Sequence, residues 1–252
     1  MTSSVPPPER AGAAVLAARE ELDAAARGLD ERGWSWPRRG PLLTRAWRAA
    51  ADLRLTRYPL ARERMKSWDV WRAVHHCLAT VPRDGLVFDV GAWQSEILWA
   101  LARNGYTRLA GCDTDPRVTR MPGARRIAYR VADFFDVTLP AGSAAAITCL
   151  SVIEHGMDAE AFIQRSAEAL GAGGRLLVTT DYWPDGLDTA GLSAFGRPWT
   201  IASRTMVSSW LERAAALGLE PDGPVSLDAA AAPITWNSRS YTFLWLALWK
   251  RG

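Results

Sequence analysis

The stretch GLVFDVGAWQSEILWALARNGYTRLAGCDTDP, from Gly85 to Pro116, constrains the fold of this chain most. Leu86-Val87-Phe88 is a short apolar run of the kind that forms a buried strand. Asp89-Val90-Gly91 closes it with an acid and a glycine that lets a ligand approach the backbone. The pattern then predicts a helix over Glu96 to Asn104, capped by Ser95, with its positive N-terminal end facing whatever lies over the turn. A second apolar run, Leu109 to Cys112, ends in Asp113, 22 residues after Gly91. An acid at that place in a βαβ unit can accept hydrogen bonds from both hydroxyls of a ribose, so the stretch has the form of a nucleotide-cofactor site.

Further units follow in order. Arg126 to Val131 is a third apolar stretch that ends in Ala132-Asp133-Phe134, and Ala144 to Leu150 a fourth that ends in Ser151-Val152-Ile153-Glu154-His155. A helical pattern over Ala159 to Leu170, the turn Gly171-Ala172-Gly173-Gly174 and a fifth strand, Arg175 to Thr180, come next. A helix from Ser203 to Leu217, a sixth strand near Val225 and a seventh from Tyr241 to Trp249 complete the pattern. In the order and spacing of DVG, CDTDP, AD, SVIEH and EALGAGGRLLVTT, the chain from about Gly85 to Arg251 resembles the class I S-adenosylmethionine-dependent methyltransferases of the small-molecule type.

The resemblance implies an α/β, Rossmann-like methyltransferase fold: a seven-stranded, mostly parallel sheet with helices on both faces and an N-terminal helical cap. It implies S-adenosylmethionine as cofactor, with Gly91 under the methionine part, Asp89 near the amino group and Asp113 on the ribose. Asp133 would meet the adenine amino group, Phe134 would flank the ring, and Ser151 would border the cofactor at the end of the fourth strand. Where the family usually has its second and third glycines, this chain has Trp93 and Ser95. A tryptophan side chain cannot lie where a methionine chain touches bare backbone, so Trp93 is expected to turn away or to wall the acceptor pocket. The same residues argue against a nicotinamide cofactor, which needs G-x-G-x-x-G where the chain offers Gly91-Ala92-Trp93-Gln94-Ser95-Glu96.

The implied reaction moves a methyl group to an oxygen, or a nitrogen, of a small molecule such as a sugar, glycan precursor or specialised metabolite. Methylation of a protein or RNA, and a catalytically silent adenosyl-cofactor-binding protein, are the alternatives. His155 is the candidate general base, because an imidazole is neutral and accepting near neutral pH and follows the fourth strand beside the expected cofactor. Asp181 and Tyr182, at the end of the fifth strand, are further catalytic candidates that could instead orient the acceptor. The segment from Asp181 to Trp199 is long for a connection and reads as a lid or binding loop, and Trp236-Asn237 could add to the pocket wall. The sequence holds no convincing divalent-metal cluster, although Glu154 with His155 keeps one conceivable.

The first nine residues, polar and proline-rich, are expected to be disordered. Residues 10 to 84 are expected to form a cap of three helices over the open sheet edge, roofing the acceptor site, and residues 85 to 252 the cofactor-binding core. The first helix, residues 10 to 30, carries Val15, Leu22 and Leu29 and ends at Gly33. The second follows Pro41 through Leu42, Ala46, Ala49 and Leu53, and the third starts at Ser67 with Trp68, Trp71, His75 and Leu78 on one stripe. On that helix His75 faces inward, to the core or the pocket, and His76 outward to solvent.

With 252 residues and 48% hydrophobic content, the chain can bury one sizeable core. Its 30 basic and 27 acidic residues leave a net charge of +3 without a long basic block, which favours solvated surface arginine over a nucleic-acid groove. The apolar run Phe243 to Trp249 is far below the ~18 residues of a membrane span, and MTSSVPPPERAG lacks the basic start and apolar block of a secretory signal. Cys77, Cys112 and Cys149 sit singly in apolar patterns, as buried thiols do, and the cytoplasm is the consistent compartment.

Overall fold

The computed structural model describes residues 4–36, 41–53, 55, 56, 64–121, 123 and 126–252. In chain order the elements are β1 (Ala13–Val15), α1 (Arg19–Glu31), α2 (Pro41–Asp52), α3 (Ser67–Thr80), β2 (Leu86–Val90), α4 (Ile97–Arg103), β3 (Arg108–Asp113), β4 (Ile127–Val131) and β5 (Ala144–Leu150). They continue with α5 (Ala159–Ala169), β6 (Leu170–Tyr182), β7 (Ser193–Ala194), β8 (Arg197–Pro198), α6 (Arg204–Ala216), β9 (Leu219–Pro221), β10 (Ile234–Trp236) and β11 (Arg239–Lys250).

Strands without a polar face need cover on both sides, and this sheet has it. Among the described residues it has nine strands, with a seven-strand main path β1-β11-β6-β5-β2-β3-β4, while β9 and β10 also pair with β11. The five strands β6-β5-β2-β3-β4 pair in parallel, and β11 returns antiparallel to β6. One face, with Val87, Leu109, Leu177 and Trp245, packs against Leu22, Trp71 and Leu101 of α1, α3 and α4. The other, with Phe88, Ile147, Leu176 and Leu244, packs against Phe162 of α5 and Trp210 of α6. Strand order reverses between β2 and β5, the place where open α/β sheets leave a crevice outside their carboxyl ends.

The structure departs from the sequence reading at the N-terminal side. Residues 13–15 are not helical: they pair antiparallel with Leu244 to Leu246 of β11. A row of unpaired backbone groups on that edge favours an added strand, and the helix starts only where Glu21 can accept from the N–H groups of Ala17 and Ala18. The cap is therefore continuous with the sheet. Its first strand occupies the edge, and α1 and α3 lie on a face beside α4. Ser4 donates to the Glu31 carboxylate through its N–H and hydroxyl, and Val5 is buried, so these two are held to the fold while Pro6, Pro7 and Glu9 are exposed; residues 1–3 lie outside the described residues.

Other corrections are local. Ser95 does not cap α4; Glu96 holds the N-cap position, and its carboxylate accepts from the Trp36 N–H at 2.6 Å. The sixth strand is β9, while Val225 makes only a single bridge to Ala13. His76 is not exposed. Its Nε2 lies 3.0 Å from the Asp222 carboxylate, which also accepts from Arg175 Nε at 2.6 Å and pairs with Arg10. His75 packs edge-on against Trp34 and Trp71. All three cysteines are buried, and no helix among the described residues is long and apolar enough to cross a membrane.

Candidate active site

A cavity of about 560 Å³ opens at the carboxyl ends of β2 to β5, within the range of small-molecule sites, ~300–1,000 Å³. Gly91, with φ of +73°, turns the chain out of β2, and its N–H and that of Ala92 donate to the Cys112 carbonyl. A Cβ on Gly91 would come within 2.3 Å of Val152, so the turn has no room for a side chain. Trp93 continues the turn and donates its N–H to Asp113 at 2.9 Å, and Asp113 also accepts from the Asp115 N–H at 2.7 Å. The Trp93 ring lies under the Arg117 guanidinium, and both residues line the cavity.

Gly91, Trp93, Asp113, Asp133, Phe134, Ser151 and His155 all line this cavity. Asp133 accepts from the Phe135 N–H at the end of β4, and Phe134 stands against Phe88 and Phe162. Ser151, with φ of +53°, donates from Oγ to Asp69 of α3 at 2.7 Å while its N–H donates to the Thr179 hydroxyl. His155 stands edge-on to Phe195 at 5.2 Å, and its buried Nδ1 has no hydrogen-bond partner among the described residues. Burial, and then the charges of Lys66 and Arg197, lower its pKa to about 4.

Three expected site residues lie outside the cavity wall. Asp89 is buried behind it and accepts from Thr148 Oγ1 at 2.6 Å, with its pKa raised by burial to about 7. Asp181 is buried and accepts from Trp199 Nε1 at 2.7 Å, and the Tyr182 hydroxyl donates to the Leu227 carbonyl at 2.7 Å. Both side chains are held by the frame, Tyr182 on the side of the sheet covered by α5 and α6. Trp236 likewise packs on Trp199 and adds nothing to the wall.

The loop after β6 does reach the site. Trp199 anchors its base in the core, and the β7–β8 hairpin carries Phe195 and Arg197 to the cavity mouth. Lys66 and Val70, from the start of α3, face the same space. Beneath it, Asp69, Glu154 and Asp181 are buried together, and burial raises the pKa of each, to about 6 for Asp69. Sequence reasoning missed Asp69, Lys66, Arg197 and this arrangement. A signal existed at two of them: Asp69 is an acid inside the aromatic stripe of α3, and Lys66 is one of only two lysines in the chain.

Residues 88–178 match the family described as "Methyltransferase domain". No curated protein matches the chain. Among solved structures it is similar to geranyl diphosphate C-methyltransferase from Streptomyces coelicolor A3(2), at 16% identity over 76% of this chain and 82% of that one, with a TM-score of 0.54. It is also similar to the [4+2]-cyclase SpnF, at 14% identity over 83% and 95% of the two chains with a TM-score of 0.53. A proposed S-adenosylmethionine-dependent methyltransferase from Listeria monocytogenes gives 12% identity over 71% and 98%, with a TM-score of 0.51. At these identities the likeness is one of fold.

Proposed function

We propose that the chain is a class I S-adenosylmethionine-dependent methyltransferase that transfers the methyl group to an oxygen of a small molecule, with His155 as the base. The observation that carries this reading is the His155 imidazole, held neutral by burial and lining a cavity sized for small molecules.

The residues present fit the cofactor. The side-chain-free turn at Gly91 admits a close ligand, and two of the roughly four lone-pair sites of the Asp113 carboxylate are free for ribose hydroxyls. Asp133 and the Phe134 ring suit the adenine, Ser151 borders the site, and Asp89, one layer behind, favours an ammonium group near the turn. S-adenosylmethionine supplies a methyl group already activated on a sulfonium. The protein's part is to hold the acceptor in line, worth up to roughly 7–11 kcal/mol of the barrier. The other part is to remove the acceptor's proton.

His155 is fully in its accepting form at neutral pH, and its low basicity suits an acidic hydroxyl, such as a phenol, better than an alkyl alcohol. The test is release of S-adenosylhomocysteine from S-adenosylmethionine with a panel of phenols, sugars and nucleotide sugars. His155→Ala should lower turnover about 10²-fold and leave S-adenosylhomocysteine affinity within a few-fold. The wild-type rate should fall as pH drops through about 4, below the 6–7 expected of an unperturbed imidazole, and the variant should lose that step. Near-normal turnover in the variant would make His155 structural.

A further inference from the structure

Charge is divided inside the cavity. Its carboxylates, Glu96, Asp113, Asp115 and Asp133, all stand on the side built by β2 to β4, where the cofactor's ribose and adenine belong. The opposite wall, from α3, the end of β5 and the β7–β8 hairpin, has no carboxylate and two cations, Lys66 and Arg197. The third lining cation, Arg117, is held by the Asp115 carboxylate and covers Trp93. Lys66 and Arg197 have no such ion pair among the described residues, and the charges of both act on His155.

Resting on the methyl-transfer reading of this cavity, we propose that the acceptor carries an anionic group, a phosphate or a carboxylate, held between Lys66 and Arg197, with an apolar or aromatic body against Phe195. Phe195 is 83% exposed at the hairpin tip, in a left-handed backbone conformation with φ of +55°. That conformation belongs to the two-residue turn joining β7 and β8, and it sets the ring edge-on to the candidate base on the cavity lining, where an apolar body would cover it. The buried Asp69, Glu154 and Asp181 lie behind Lys66 and do not line the cavity, and their raised pKa values mean they offset its charge only in part. An anion at this place would also neutralise two of the influences that hold His155 down, so the acceptor that fits would strengthen its own base.

One other anion could draw on Lys66: the carboxylate of the cofactor's methionine. Calorimetry on the full chain saturated with S-adenosylhomocysteine separates the two. Benzyl phosphate, phenylacetate and the neutral benzyl alcohol are titrated into that complex, and the stronger of the two anions identifies the group. The anions should bind at least about tenfold more tightly than the alcohol. Arg197→Ala and Lys66→Gln should each remove about tenfold of that preference and leave S-adenosylhomocysteine affinity within a few-fold, with Arg197→Lys restoring part of it. Equal or undetectable binding of anionic and neutral probes overturns the proposal. So does a preference that survives both variants, or a Lys66→Gln variant that loses S-adenosylhomocysteine and not the probe. Failure of S-adenosylhomocysteine itself to bind, seen before any probe is added, overturns the methyl-transfer reading and this one with it.

Discussion

Asp113 does two jobs with one carboxylate. It accepts from the backbone of Trp93 and of Asp115, which fixes the turn after β2 against the end of β3, and it keeps lone pairs for a ligand. Charged hydrogen bonds are worth roughly 1.5–3 kcal/mol each, so Asp113→Ala should weaken S-adenosylhomocysteine binding by well over tenfold in titration calorimetry. Asp113→Asn, which keeps one accepting oxygen, should lose less. An unchanged affinity in Asp113→Ala would place the ribose elsewhere. The same turn shows why Trp93 and Ser95 can stand where glycines are usual. The left-handed residue there is Gln94, with φ of +61°, and the Trp93 side chain lies under Arg117.

At the scale of elements, α3 ties the N-terminal segment to the site and to the far end of the sheet. Its start supplies Lys66 and Val70 to the cavity, Asp69 in its first turn receives the Ser151 hydroxyl, and His76 meets Asp222 together with Arg175 and Arg10. Asp222→Ala would leave Arg175, only 14% exposed in its side chain, without its counter-charge, and should cost about 3 kcal/mol in urea unfolding, as breaking a buried pair does. A loss under about 1 kcal/mol would mean that the network behaves like a surface pair. The central strands β2 to β6 and the helices α4 to α6 were legible in the sequence because each is a long enough apolar or amphipathic run to show its own period. β1 was not: three residues, Ala13-Ala14-Val15, sit in an alanine-rich helical pattern, and only the free edge of β11 makes them a strand. That Gly91, Asp113 and Asp133 line one cavity was legible for the same reason as the strands, since they fall at strand ends fixed by local sequence. The opposite wall depends on long-range contacts, the Ser151 to Asp69 hydrogen bond and the hairpin that brings Arg197 in, which no local pattern encodes.

Over the whole molecule, two sets of buried ionisable groups pull stability in opposite directions with pH. His75, His76 and His155 are each lowered to about 4, mainly by burial, so they contribute stability that is complete above the unfolded value of about 6.5 and is lost as pH falls toward 4. Asp69 is raised to about 6 and Asp89 to about 7 by burial, and the neighbouring Glu154 and Asp181 are raised as well. Their contribution runs the other way: the folded state binds the extra protons, so stability falls as pH rises through the folded values. Between about 4 and 6.5 the two sets offset each other, and above 6.5 the histidines are silent and the carboxyl groups act alone. The ligand-free protein should therefore lose several degrees of melting temperature between about pH 6.5 and 8.5, measured by scanning calorimetry. Asp89→Asn, which cannot ionise, should flatten that slope. Saturating S-adenosylhomocysteine should flatten it too, because an ammonium group near the Gly91 turn favours the ionised form of Asp89. A melting temperature that is constant or rising over this range in the ligand-free protein would mean that the buried carboxyl groups are already ionised in the folded state, with Lys66 and ordered water carrying their charge.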